Sequence, residues 1–183
     1  MQDTFSDPTS GWASGVHDDG ETGYIEGAYR IFVEDESWRL TPYIELVPRR
    51  DALRLEVETT QLAGASGDSV GVACYTDLDS DVGYALEVAP AEEGYAVYAF
   101  RGDDFRLLES SGEAVAAIGS LEENQLRVEC VASPDGPTVL TLAVNGEVLV
   151  QAEDETGTSE SMASASSWTP RRAAPRRSST TSS

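Results

Sequence analysis

The chain has 183 residues, 40% hydrophobic and 25% charged, so it can bury one sizeable core and does not have a disordered composition. Its 33 acidic residues stand against 12 basic ones, all of them arginine, for a net charge of −21. This excludes a basic face for nucleic acid and fits a solvated acidic surface, cationic partners, divalent ions or high salt.

The N-terminal Met1-Gln2-Asp3-Thr4 has neither the basic nor the apolar region of an export signal. No later stretch approaches the roughly 18 consecutive apolar residues of a membrane span. An exported form would therefore take its signal or anchor from a longer parent polypeptide, and this segment is not expected to insert into a membrane.

Period-two alternation predicts the strands. They fall at residues 28–33, 53–62, 70–76, 84–88, 95–101, 105–109, 126–132, 139–144 and 147–152, with weaker candidates at 38–40 and 43–47. The clearest is 53–62, where Leu53, Leu55 and Val57 point one way and Arg54, Glu56 and Glu58 the other. Breaker clusters at 64–68, 92–94, 102–104 and 134–137 separate the strands, and Asn145-Gly146 predicts a two-residue hairpin whose central residues both accept positive φ. Residues 113–123 could hold a helical turn, against which Gly119 argues. About ten short strands at this spacing predict an all-β sandwich or barrel of antiparallel strands.

From Thr158 the composition turns to Ser, Ala, Thr, Pro and Arg, with two Arg-Arg pairs. The expected organisation is one β-sandwich over residues 1–157 and a disordered low-complexity tail over 158–183. The sandwich alone holds 8 Arg against 32 acidic residues, a charge of −24. The tail's bias is also what a GC-rich coding sequence gives when it is read out of frame.

Asp3-Thr4-Phe5-Ser6-Asp7-Pro8, Ser10-Gly11-Trp12 and Gly27-Ala28-Tyr29-Arg30-Ile31 resemble the first strands of concanavalin A-like, laminin G-like jelly-roll modules of bacterial extracytoplasmic proteins, similar to 3-keto-disaccharide hydrolase domains. Gly71-Val72-Ala73-Cys74-Tyr75 with Gly83-Tyr84-Ala85-Leu86-Glu87-Val88 resembles their central hairpin. Asn124 to Cys130 and Leu142-Ala143-Val144-Asn145-Gly146 resemble their late strands. The resemblance covers residues 3 to 154. It implies a two-sheet antiparallel jelly-roll sandwich, and it departs after Gly157, where a last strand ending in an acidic pair and an aromatic should stand.

Cys74 and Cys130 are each in phase with apolar neighbours and should point inward. They are either a disulfide across the core, which the resemblance implies, or two small buried hydrophobes. Asp77, Asp79 and Asp81 alternate like the start of a calcium loop, but Val82 and Val88 stand where an EF-hand needs Gly and Glu, which favours a solvated hairpin loop. No other cofactor is expected.

Among Trp12, Trp38, Tyr43, Tyr75, Tyr84, Tyr95 and Tyr98, most are expected in the core. Tyr75 and Tyr98, with Arg101, are the preferred ligand-binding residues because they lie on the central hairpins. No catalytic residues are assigned. The lone His17 falls in a polar loop, and Glu56-Val57-Glu58, the nearest approach to a glucanase acid strand, looks like the wet face of an amphipathic strand. A carboxylate pair built from distant positions, such as Glu87 with another acid, stays open. The expected function is a non-catalytic extracytoplasmic binding or sensing module for a glycan or wall component, part of a larger anchored protein. The alternatives are a hydrolase of the keto-disaccharide type and a spacer.

Overall fold

The computed structural model describes residues 3–18, 20–34, 43–63, 67–77, 79, 81–119, 123–133, 135–156 and 162–168. For strands β4 and β13, and for Tyr75 and Thr76, it describes the backbone alone. In chain order the strands are β1 (Gly15–His17), β2 (Gly20–Ile25), β3 (Ala28–Val33), β4 (Tyr43–Arg50), β5 (Ala52–Thr60), β6 (Val70–Asp77) and β7 (Val82–Ala89). After a 3-10 turn at Pro90–Glu92 come β8 (Gly94–Arg101), β9 (Asp104–Ser110), β10 (Glu123–Val131), β11 (Thr138–Val144), β12 (Glu147–Asp154) and β13 (Met162–Trp168).

They build a six-stranded sheet in the order β4-β13-β6-β7-β8-β9, a four-stranded sheet β12-β11-β10-β5 and a three-stranded sheet β1-β2-β3. Every pairing is antiparallel. The fold is an all-β jelly-roll sandwich. The six- and four-stranded sheets pack through one core, because alternation puts Val72, Cys74, Leu86, Val88 and Val97 of the first against Leu126, Val128, Cys130, Leu140 and Leu142 of the second. Each of these apolar side chains is essentially removed from water, and burying one Val or Leu stabilises the fold by about 1.5–3 kcal/mol.

Cys74 on β6 and Cys130 on β10 form a disulfide with their Cα atoms 6.7 Å apart, joining the two sheets through the core. A second link is polar. The Asp154 carboxylate at the end of β12 accepts hydrogen bonds from the Tyr84 hydroxyl on β7 at 3.1 Å and from Arg106 Nη2 on β9 at 2.8 Å. Burial pushes the Asp154 pKa up, but hydrogen bonds from Thr156 and Arg106 and the nearby guanidinium charge outweigh it and hold the carboxyl below its usual range. Burial raises the Tyr84 phenol to about 12.

The Asn145-Gly146 hairpin forms as expected, with φ of 50° and 87°. Its asparagine also braces the neighbouring loop. Asn145 Nδ2 donates to the Ala117 carbonyl and to Asn124 Oδ1, while the buried Asn124 binds both the N–H and the carbonyl of Gly119. That loop carries Ile118 into the core and contains no helix, so the candidate helical turn at 113–123 is not formed over its described residues, 113–119. Side-chain and turn hydrogen bonds satisfy the backbone there instead.

Three strands were not foreseen. Strands β1 and β2 lie in a Gly- and Asp-rich stretch; β1 pairs with β2, and β2 is held to β3 with the help of a cluster of Phe5, Trp12, Tyr24 and Tyr29, whose ring centroids are 5.2–6.5 Å apart. His17, expected in a loop, ends β1 and is exposed. Strand β13 runs between β4 and β6 from within the stretch assigned to an unstructured tail. The strand candidate at 38–40 lies outside the described residues.

Candidate functional site

The face of the six-stranded sheet turned away from the main core, its outer face, carries a second buried cluster, Ala73, Ala85 and Phe100 with Tyr98 and Phe105 packed against them, and small residues beside Glu87. In register across β6, β7, β8 and β9 run Gly71, Glu87, Ala96 and Ser110. The next row on the same face is Ala73, Ala85, Tyr98 and Leu107. Beside Glu87 in its row stand Gly71 and Ala96, which lack bulk, with Trp168 of β13 in register beyond Gly71, and the Glu87 side chain lines a depression there. Glu87 is only 5% exposed although it projects from the outer face.

The depression is a cleft of about 410 Å³, within the range of small-ligand sites. Glu87 and Ser69 lie at its base, Tyr98 flanks it, and Glu92 and Glu113 also line it. Ser69 is 3% exposed, and its hydroxyl oxygen has no hydrogen-bond partner. Such a group costs folding free energy unless something fills its bonding capacity. The wall is fixed by paired hydrogen bonds between Tyr95 and Ser111: Tyr95 N–H donates to Ser111 Oγ, and Ser111 N–H to the Tyr95 carbonyl, both at 3.0 Å.

Tyr98 belongs to a small aromatic group on this face. Its ring meets Phe105 edge-on at 6.2 Å, and Phe105 stacks on Phe100 at 5.6 Å. These contacts hold the Tyr98 ring at the cleft.

Of the three residues preferred from the sequence, the structure places Tyr98 at the cleft. Tyr75 on β6 is in register with Gly83 on β7, and its side chain lies outside the described residues. Arg101 ends β8 in phase with the core-facing Val97 and Ala99, is exposed, and does not line the cleft. A shared hairpin does not imply a shared face, since successive side chains alternate.

Asp77 closes β6, and its carboxylate accepts a hydrogen bond from the Asp79 N–H at 3.1 Å, the local bonding of a turn. Among the described residues no three His, Cys, Asp or Glu side chains are placed to hold a metal ion, so Asp77, Asp79 and Asp81 are not brought together as ligands. Glu56 is ion-paired with Arg54 on the outside of the four-stranded sheet, in line with a solvated strand face. Glu87 as the floor of a site was missed. Its signal, an acid flanked by Gly and Ala on adjacent strands, exists only once the register is known.

No protein-family model matches the chain, and no curated protein does. Among solved structures, the carbohydrate binding module CBM66 from Bacillus subtilis is 12% identical, with a TM-score of 0.53 over 88% of this chain and 92% of that one. The Emp46p carbohydrate recognition domain, in a potassium-bound form, is 13% identical, with a TM-score of 0.56 over 93% of this chain and 85% of that one. At these identities the likeness establishes the concanavalin A-like fold alone.

Proposed function

We propose that the protein is a non-catalytic glycan-binding module that works outside the cytoplasm as part of a larger anchored protein, and that its ligand lies in the cleft on the outer face of the six-stranded sheet. The observation that carries this reading is the combination in one cleft of a fixed aromatic ring, Tyr98, with buried polar groups, Glu87 and the unsatisfied Ser69 hydroxyl. A pyranose has an apolar face and a rim of hydroxyls, so it suits a ring beside polar acceptors. The fold shared with a carbohydrate binding module and a carbohydrate recognition domain supports the reading, and the Cys74–Cys130 disulfide supports an oxidising compartment.

A glycan array followed by titration of any hit tests it. Tyr98→Ala should weaken binding by about tenfold or more through loss of stacking area, whereas Arg101→Ala should leave it unchanged. An array without hits, or a Tyr98→Ala protein that binds as well as the parent, would overturn the proposal.

A hydrolase of the keto-disaccharide type is the second reading, favoured by the buried Glu87 carboxylate in a cleft that also holds Glu92 and Glu113. Turnover of a glycoside that Glu87→Gln abolishes would establish it in place of the first.

A further inference from the structure

We propose that the cleft takes a stretch of several joined sugars and not a single one, with the Tyr98 ring holding a unit at one end and the Ser69 hydroxyl bonding to a hydroxyl of another unit at the far end; this rests on the glycan-binding reading.

The register sets the two ends apart. Ser69 directly precedes β6 in phase with Gly71 and Ala73, so it lies on the same face, one row beyond the row of Glu87 and Ala96. Tyr98 is in the row of Ala73, four residues along β6 from Ser69 and two strands across. At the usual rise per residue and spacing between strands, the two positions are about 16 Å apart in the sheet. A single pyranose ring cannot touch both. No bulky side chain stands on the path between them: Ala89 and its partner Gly94 continue the row of Ser69, Ala96 lies in the next row, and all of them line the same cleft.

The Ser69 hydroxyl is the observation that calls for a ligand at that end. It is buried, lines the cleft and has no hydrogen-bond partner. A hydroxyl can donate one hydrogen bond and accept others, and buried polar groups are nearly always bonded. A sugar hydroxyl supplies both kinds of partner.

The wall beside this path is already in place. Besides the paired bonds of Ser111 with Tyr95, the Val115 N–H donates to the Glu93 carbonyl at 2.7 Å, and the buried Asn124 holds Gly119 from both sides. Little chain has to be ordered on binding, so the contacts of each added unit appear as affinity.

The test is isothermal titration calorimetry of the full chain with cello-, laminari-, xylo- and manno-oligosaccharides from one sugar to four, beside an array that presents each glycan at several lengths. In the series that binds, affinity should rise at least about tenfold from one sugar to three and then level off. Ser69→Ala should weaken the three-sugar complex about fivefold and leave the single sugar unchanged. The same variant should be at least as stable as the parent in urea unfolding, because it removes a hydroxyl that the free protein leaves unbonded.

If affinity does not depend on length, or Ser69→Ala binds the three-sugar glycan as the parent does, the extended mode is wrong while glycan binding stands. A Ser69→Ala protein less stable than the parent would show that the hydroxyl is engaged within the fold, and would also overturn it. If no oligosaccharide binds and the array finds no hit, both readings fall.

Discussion

Gly71 and Glu87 oppose each other across β6 and β7 so closely that a Cβ on the glycine would lie 2.2 Å from the Leu86 carbonyl oxygen and 2.7 Å from the Glu87 Cα. Backbone cannot move aside as a flexible side chain can. Gly71→Ala should therefore push the two strands apart, lower stability by about 1–3 kcal/mol and disturb the floor of the cleft. Urea unfolding reads the first effect and ligand titration the second. A variant as stable as the parent would show that the strands can separate there without strain.

The Cys74–Cys130 bridge closes a loop spanning 56 positions, for which the chain-entropy model gives about 4 kcal/mol of stabilisation. Replacing both residues by alanine should lower the unfolding free energy by about that amount. Thiol titration of the unreduced, denatured protein should find no free thiol. Finding two would remove the bridge from the account.

Tyr84 makes stability depend on alkaline pH. Its phenol is raised from an ordinary 10 to about 12, mainly by burial, so the folded protein holds the proton more tightly than the unfolded chain. The stabilisation is complete below pH 10 and should be lost progressively between pH 10 and about 12, by roughly 2 kcal/mol. Tyr84→Phe should be less stable at neutral pH, for want of the bond to Asp154, but should lose this part of the alkaline dependence. Denaturant midpoints of both proteins across that range decide it.

Much of the sandwich is legible because its strands are amphipathic. Strand β5 alternates along its whole length, and Asn145-Gly146 can do little except turn. Strand β2 was not legible because Gly20, Thr22 and Gly23 give no apolar rhythm. Its stability comes from Tyr24 packing on Tyr29 and Phe5 and accepting a hydrogen bond from the Trp12 N–H, partners that are distant or unpatterned in sequence. The site was half legible. Tyr98 declares itself as an aromatic on a central strand, whereas Glu87 looks like any wet-face acid until Gly71 and Ala96 are seen beside it.

Strand β13 gives the low-complexity segment a place in the fold, between β4 and β6, where the concanavalin A-like pattern calls for a last strand. If that segment is an out-of-frame reading, the shifted coding sequence should encode a valine-rich strand across residues 159–169, with Gly in place of Ala163 and Asp in place of Thr169, and an acidic pair and an aromatic near its end. An intact strand there would satisfy the ladder groups of both neighbours with apolar residues suited to a sheet. Sequencing the coding DNA settles this, since a stop codon in the shifted frame or the lack of a valine pattern rules it out.

The disulfide also determines how the protein responds to force. A pull on the two ends of the chain passes from β6 to β10 through the sulfur bridge and bypasses every residue between Cys74 and Cys130. That shielded loop contains β7, β8 and β9, and with them Glu87, Tyr98 and Glu113. Stretching can peel away the flanking strands but cannot unravel the loop, which withholds about 190 Å of contour length. Reduction would release that length at once, so a single-molecule extension trace should lengthen by this step when a reductant is added, with the strands that carry the cleft the last to be drawn out.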